Sequence, residues 1–205
     1  RTVRGCGEAA ARGGCGAAMS LPCHELILGG AKSGKSRAAE QRAAAWLAAG
    51  SERRATLVAT ALPGDDEMQA RIERHRADRA QRLPALDTVE APRSLGATLR
   101  RLAQPQRLLL VDCLTLWLTQ CLLPPPGAPA VDWPLERSAL LAALHDSASP
   151  VVLVANEVGL GVMPMSREAR ACVDALGLLH QDVAAACARV TLLVAGCELR
   201  VKDTR

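Results

Sequence analysis

Glu25-Leu26-Ile27-Leu28-Gly29-Gly30-Ala31-Lys32-Ser33-Gly34-Lys35-Ser36 runs directly into RAAEQRAAAWLAA (37–49), so a short apolar run, a glycine-rich turn and a helix-forming segment follow one another. Positions 29, 34, 35 and 36 match G-x-x-x-x-G-K-[ST], and the flanking strand-like and helix-like segments are the setting that motif requires. Such glycines let successive backbone N–H groups point at phosphate oxygens, and the following helix N-terminus adds a favourable dipole. The segment Gly29, Gly30, Ala31, Lys32, Ser33, Gly34, Lys35 and Ser36 is therefore expected to cradle a nucleotide's phosphates. In this reading Lys35 is catalytic, neutralising the β- and γ-phosphates, and the Ser36 hydroxyl takes a Mg²⁺ position.

Outward from this loop, strand-like segments recur at 25–28, 55–60, 87–90, 107–112, 151–156 and 190–195. Helix-like segments lie between them at about 35–49, 66–82, 93–103, 114–123, 134–146 and 166–188. Such alternation predicts an α/β fold, a mostly parallel central sheet in a three-layer sandwich. The apolar runs do not alternate with polar residues, as suits strands buried on both faces. PPPGAPAVDWP (124–134) reads as a surface excursion. A buried strand ending in a carboxylate is the usual companion of a phosphate loop, and RLLLVD (107–112) ends in Asp112. That residue is expected at the metal, directly or through water, with capping of the next helix as the alternative.

Composition narrows the class. The 205 residues carry 25 Lys+Arg and 21 Asp+Glu, a formal charge of +4 without a basic block, and contain no Tyr or Phe. Nucleic-acid binding is disfavoured by that mild charge and by the missing stacking platforms. Eight cysteines show no C-x-x-C pair or metal-ligand cadence, which fits a reducing, cytoplasmic setting. No apolar run approaches a membrane span, and residues 1–22 are expected to be a disordered extension, with 1–18 upstream of a native-like start at Met19.

DDEMQARIERHRADR (65–79) starts acidic and turns basic, as a helix dipole favours. Arg71, His75 and Arg79 share one stripe at i, i+4 and i+8, beside Met68 and Ile72. A histidine there is suited to a phosphate contact or a nucleophile, although the residues alone favour a solvated basic face. Beyond it, NEVGLGVMP (156–164) follows a strand, so Asn156 and Glu157 should lie at the sheet's carboxyl edge.

Five segments in order, GGAKSGKS, VATALPGDDEMQARIERHRADR, VEAP, LLLVDCLTLWLTQ and VANEVGLGVMP, resemble the bifunctional adenosylcobinamide kinase/adenosylcobinamide-phosphate guanylyltransferase family of cobalamin biosynthesis. The likeness runs from about Glu25 to Lys202 and implies one P-loop kinase/guanylyltransferase domain over 23–205. It implies phosphorylation of adenosylcobinamide by ATP or GTP, then transfer of GMP from GTP to adenosylcobinamide phosphate through a guanylylated histidine. His75 resembles that histidine, and Ala59, Thr60, Ala61, Arg76, Ala77, Asp78, Arg79, Glu90 and Asp112 resemble nucleotide-contacting positions. Ser36 and Asp112 are the expected Mg²⁺ ligands, and a homo-oligomer is implied. Two alternatives stand beside this: guanylyltransferase activity alone, and a non-catalytic nucleotide-binding module.

The chain departs from the family in one helix. The usual R-x-F-R-D…G-x-x-N-Q reads here Arg170-Ala171-Cys172-Val173-Asp174…Gly177-Leu178-Leu179-His180-Gln181, with His180 in place of asparagine. Leu86 replaces a usual tryptophan.

Overall fold

The computed structural model describes residues 23–64 and 66–204, so the expectation for residues 1–22 lies outside it. All six apolar runs form strands: β1 (Glu25–Gly29), β2 (Arg54–Ala59), β3 (Leu86–Glu90), β4 (Arg107–Asp112), β5 (Val151–Asn156) and β6 (Arg189–Val194). The helices between them are α1 (Lys35–Ala48), α2 (Asp66–Arg82), α3 (Leu95–Leu102), α4 (Leu114–Leu122), α5 (Trp133–His145) and α6 (Arg167–Ala186). A seventh strand, β7 (Cys197–Asp203), closes the chain. Strand order is β3-β2-β4-β5-β1-β6-β7, parallel from β3 through β6 and antiparallel only at β7.

Because side chains alternate across a strand, each central strand feeds two cores. On one face Ile27, Leu57, Leu110 and Val154 pack under Ala38, Ala39 and Ala43 of α1. On the other, Leu26, Leu109, Val111 and Leu153 meet Leu99, Trp117, Leu140 and Leu179 from α3 to α6. Alanines on the inner side of α1 let that helix lie close to the sheet. Trp117 is wholly buried and its indole N–H donates to the Arg93 carbonyl. Truncation of such a ring to alanine costs about 3–5 kcal/mol.

Local chemistry fixes the helix ends. The Asp132 carboxylate accepts the Leu135 N–H at 3.0 Å, with Pro134 in the first turn of α5, and Ser166 Oγ accepts the Ala169 N–H at 3.1 Å at the start of α6. Helix α4 has Cys113 at its N-cap and no side-chain capping bond, so Asp112 does not cap it. The segment 124–132 is the surface excursion expected, and Trp133 beyond it packs on Trp117 with ring centroids 5.3 Å apart.

β7 was not expected. It returns from β6 through a two-residue turn, Ala195 and Gly196, both at positive φ, which is the sense that matches strand twist. Ala-Gly is a weak turn signal, and CELRVKD alternates charged with apolar residues at an exposed edge, so nothing in its composition announces a core strand.

Glu25 and His24 are among the polar groups buried within the framework. Glu25 in β1 accepts from Arg42 of α1 and from the Thr191 hydroxyl at 2.8 Å, with Arg189 at 3.5 Å. His24 accepts the Val151 N–H at Nδ1 and donates from Nε2 to the Leu144 carbonyl at 2.9 Å. Burial lowers its pKa, which keeps the ring neutral. Among the described residues no helix is long and apolar enough to cross a membrane.

Candidate functional site

The strand register brings the expected residues to one edge. At the carboxyl end of the sheet Ala59 lies beside Glu90 on one side and Asp112 on the other, while Gly29 lies beside Asn156. This is the edge at which parallel α/β sheets gather ligands.

The loop from Gly29 to Lys35 leaves this edge between β5 and β6. Gly29 has no room for a side chain, since a Cβ there would come within 2.5 Å of the Leu193 carbonyl oxygen. Lys32 and Gly34 both adopt positive φ, 54° and 101°, so the backbone reverses twice over a few residues, the kind of curl that turns amides toward an anion. The Gly196 N–H donates to the Ser33 carbonyl at 3.0 Å, so the unexpected β6–β7 hairpin braces the loop from outside. Gly30, Ala31 and Lys32 are exposed, whereas Ser33 and Lys35 are buried. The Lys35 ammonium folds back into the loop, donating to the Gly30 carbonyl with Ser33 Oγ at 3.5 Å. Ser36 follows on the first turn of α1.

Asp112 is half-buried at the end of β4, and its carbonyl accepts the Thr60 N–H at 3.1 Å. The Thr60 side chain is wholly buried; its hydroxyl donates to the Cys113 carbonyl at 2.7 Å and accepts the Cys113 N–H at 2.8 Å. This double bond locks the β2–α2 connection, Thr60 and Ala61 included, against the start of α4. Gln120 adds a third tie, donating to the Thr60 carbonyl at 2.8 Å. The Cys113 thiol is pushed up to about 11 by burial first and by Asp112, while the positive charge of Lys35 acts in the opposite direction. Lys35 and Asp112 thus exert their fields on one spot.

Helix α2 reaches the same edge by charge. Arg82 makes a two-pronged contact with the buried Glu40 of α1, at 2.9 and 3.2 Å. Arg76 pairs with Glu90 at the end of β3, an exposed contact. Arg79 lies between them: burial lowers its pKa, and the Asp112 and Glu40 carboxylates oppose that shift. His75 is half-buried, one turn before Arg79 on the same stripe; Ala77 is exposed and Asp78 half-buried, its carboxylate 3.9 Å from Arg82. The arginine pattern of α2 therefore does more than solvate a helix face, because Arg82 holds α2 to α1 and Arg76 holds it to the sheet edge. Glu90 also borders a surface cavity of about 410 Å³ with Leu62, Arg93 and Thr98.

Sequence reasoning missed two contributors, Glu40, hidden in an alanine-rich helix, and the β6–β7 hairpin, and it marked only as a departure from the family pattern a third, His180. The last is buried on α6 with Nδ1 3.4 Å from Glu157 Oε2. Glu157 in turn accepts the Gly159 N–H at 2.9 Å, and its own N–H donates to the Gly29 carbonyl at 3.0 Å. The expected position of Glu157 at the carboxyl edge holds.

Magnesium would need hard oxygen donors close to the phosphates. The Ser36 hydroxyl and Asp112 carboxylate are such donors, and Mg²⁺ usually keeps waters and phosphate oxygens beside only one or two protein ligands. Among the described residues no cluster of three His, Cys, Asp or Glu side chains could hold a metal alone, so the residues fit a nucleotide-associated ion rather than a closed metal centre.

A parallel sheet with a glycine-rich phosphate loop after an inner strand and an aspartate at a neighbouring strand end defines a P-loop nucleotide-binding protein. Residues 25–201 match the family described as cobinamide kinase / cobinamide phosphate guanyltransferase, and the chain belongs to that family. It is 49% identical over 179 residues to the bifunctional adenosylcobalamin biosynthesis protein CobP of Pseudomonas aeruginosa, covering 87% of this chain and 96% of that protein. It is 36% identical over 187 residues to the bifunctional adenosylcobalamin biosynthesis protein CobU of Escherichia coli, covering 86% of this chain and 98% of that one. Among solved structures, flagellar accessory protein FlaH from Methanocaldococcus jannaschii is similar with a TM-score of 0.49 and 11% identity, over 88% of this chain and 78% of that chain.

Proposed function

We propose that this chain phosphorylates adenosylcobinamide with ATP or GTP and then transfers GMP from GTP to adenosylcobinamide phosphate, with His75 as the covalent carrier. The observation that supports it best is the arrangement at the carboxyl edge of the sheet: a glycine-rich loop holding Lys35, Asp112 at a strand end, and α2 tied to that edge through Arg76 and Glu90. The loop would grip a triphosphate, and α2 carries a single histidine, His75.

In the kinase step the substrate hydroxyl attacks the γ-phosphorus, the bond to the β-phosphate oxygen breaks, and the hydroxyl proton is released. Lys35 and the amides of Gly29 to Ser36 stabilise charge spreading over the transferring group, so positioning and electrostatics supply most of the acceleration. When bound between Ser36 and Asp112, Mg²⁺ would neutralise phosphate charge. In the guanylyl step a neutral His75 nitrogen attacks the α-phosphorus of GTP and expels pyrophosphate into the same loop. A phosphate oxygen of adenosylcobinamide phosphate then attacks that phosphorus, the P–N bond breaks, and His75 is restored. Arg76 and Arg79, with Ala59 to Ala61, Ala77, Asp78 and Glu90, line the approach and would hold the nucleotide during the handover. We assign the work to the cytoplasm and to a homo-oligomer.

The test separates the half-reactions. Purified protein given GTP labelled at the γ-phosphate should phosphorylate adenosylcobinamide. Given GTP labelled at the α-phosphate and adenosylcobinamide phosphate, it should yield labelled adenosylcobinamide-GDP. Absence of both products while GTP binds would leave only a nucleotide-binding module.

A further inference from the structure

The two buried histidines of the described chain are treated differently. His24 has partners on both ring nitrogens, whereas His180 has Glu157 at Nδ1 and nothing within hydrogen-bonding reach of Nε2. An apolar side chain of that shape would fill the same space without leaving an orphaned polar atom, and orphaned atoms of this kind are rare in native interiors. What His180 offers beyond volume is the contact at Nδ1. Burial lowers its pKa against the opposing pull of Glu157, which favours a neutral ring with Nδ1 3.4 Å from the carboxylate.

The Glu157 carboxylate uses its other oxygen to accept the Gly159 N–H. The Glu157 backbone N–H, by contrast, bonds the Gly29 carbonyl as a continuation of the β1–β5 pairing, a contact that needs no side chain. Loss of the His180 contact therefore propagates outward, into Gly159 and the segment beyond, rather than back into the phosphate loop. That segment is apolar and exposed: Leu160 is 80% accessible, Val162 97% and Met165 97%. Its far end is held by Arg170, which donates to the Pro164 and Met165 carbonyls. A loop tied at both ends by side chains, next to the phosphate site and presenting apolar groups, is suited to the large acceptor rather than to GTP.

The geometry points to His180 as a positioning residue that, through Glu157, sets the conformation of the 159–165 loop for the corrinoid acceptor. This rests on the function proposed above. The experiment compares wild type, H180L and H180N. Leucine fills the space without a donor, and asparagine restores a neutral N–H donor of similar reach. In H180L the KM for adenosylcobinamide phosphate should rise about tenfold, with guanylylation by GTP alone unchanged within about twofold and no loss of melting temperature. Hydrogen exchange of the 159–165 amides should accelerate in H180L, and H180N should reverse both effects. Unchanged loop exchange in H180L, an equal rise in the KM for GTP, or failure of H180N to rescue would overturn the proposal. If wild-type protein takes GMP from GTP but passes it to no corrinoid phosphate, the function reading fails first, before any variant is compared, and this proposal falls with it.

Discussion

The phosphate loop and the helix that carries His75 are built from different materials. The loop is set into the core: Gly29 touches the Leu193 carbonyl, Gly196 braces Ser33, Lys35 is buried, and α1 behind it rests on a sheet of wholly buried side chains. Helix α2 is mostly exposed and is attached by guanidinium–carboxylate contacts, Arg82 to Glu40 and Arg76 to Glu90, with Leu83 just past its end as its apolar anchor. A rigid grip suits triphosphate binding in both reactions, since catalysis there depends on preorganised charge. On the proposed mechanism His75 would have to face GTP in one half-reaction and the acceptor in the next, and attachment by a few polar contacts would let it do so without disturbing the core.

Four substitutions or conditions bear on that contrast. Lys35→Ala strikes the shared grip, and both transfers should fall by about a hundredfold or more in kcat. A loss confined to the kinase step would show that the two reactions use separate phosphate sites.

Arg82→Ala cuts the strongest tether of α2 and leaves the buried Glu40 unpaired. Stability measured by urea unfolding should drop by about 1–2 kcal/mol. The guanylyl step should slow by about tenfold and the kinase step by less than about threefold, as befits a misplaced carrier beside an intact grip. Equal slowing of both would place α2 in the kinase machinery too.

Acidification acts on the framework. Burial sets the native pKa of both His24 and His180 below the ordinary 6.5, so the unfolded chain binds more protons than the native one just below that pH. Stability should be full above about 6.5 and decline as pH falls from there toward the native values, and H180N should flatten the dependence. Urea midpoints at pH 7 and pH 5 check this; identical midpoints would mean that neither ring is held neutral.

The smallest effect is expected at the exposed Arg76–Glu90 pair, where Glu90→Gln should change stability by less than about 1 kcal/mol. A larger loss would make this contact, not Arg82–Glu40, the main tether.

The parts of the molecule legible in the sequence are those coded locally. Runs of four to six residues became the six parallel strands, with ends displaced by at most a residue, because the inner strands, buried on both faces, need no partner information to be recognised. The phosphate loop was equally plain, since its glycines answer to backbone sterics within eight residues. Illegible parts depend on partners far along the chain. Glu25 and Glu40 read as ordinary charges in a strand and a helix, and only tertiary packing shows them buried against Arg42, Arg189 and Arg82. His180 meets Glu157 across a loop and a helix, and β7 is an edge strand whose pairing is decided by β6. For α2, the charge pattern was visible but not its purpose: whether the arginines faced water or carboxylates depended on where Glu40, Glu90 and Asp112 came to lie.

The central claim, that α2 carries a covalent acceptor served by the phosphate loop, is tested most directly by incubating wild type and His75→Ala with Mg²⁺ and GTP labelled at the α-phosphate, then denaturing. A phosphoramidate predicts an acid-labile, alkali-stable label on wild type and none on the variant. Equal labelling of both proteins, or no label on wild type under conditions where it binds GTP, would contradict the account.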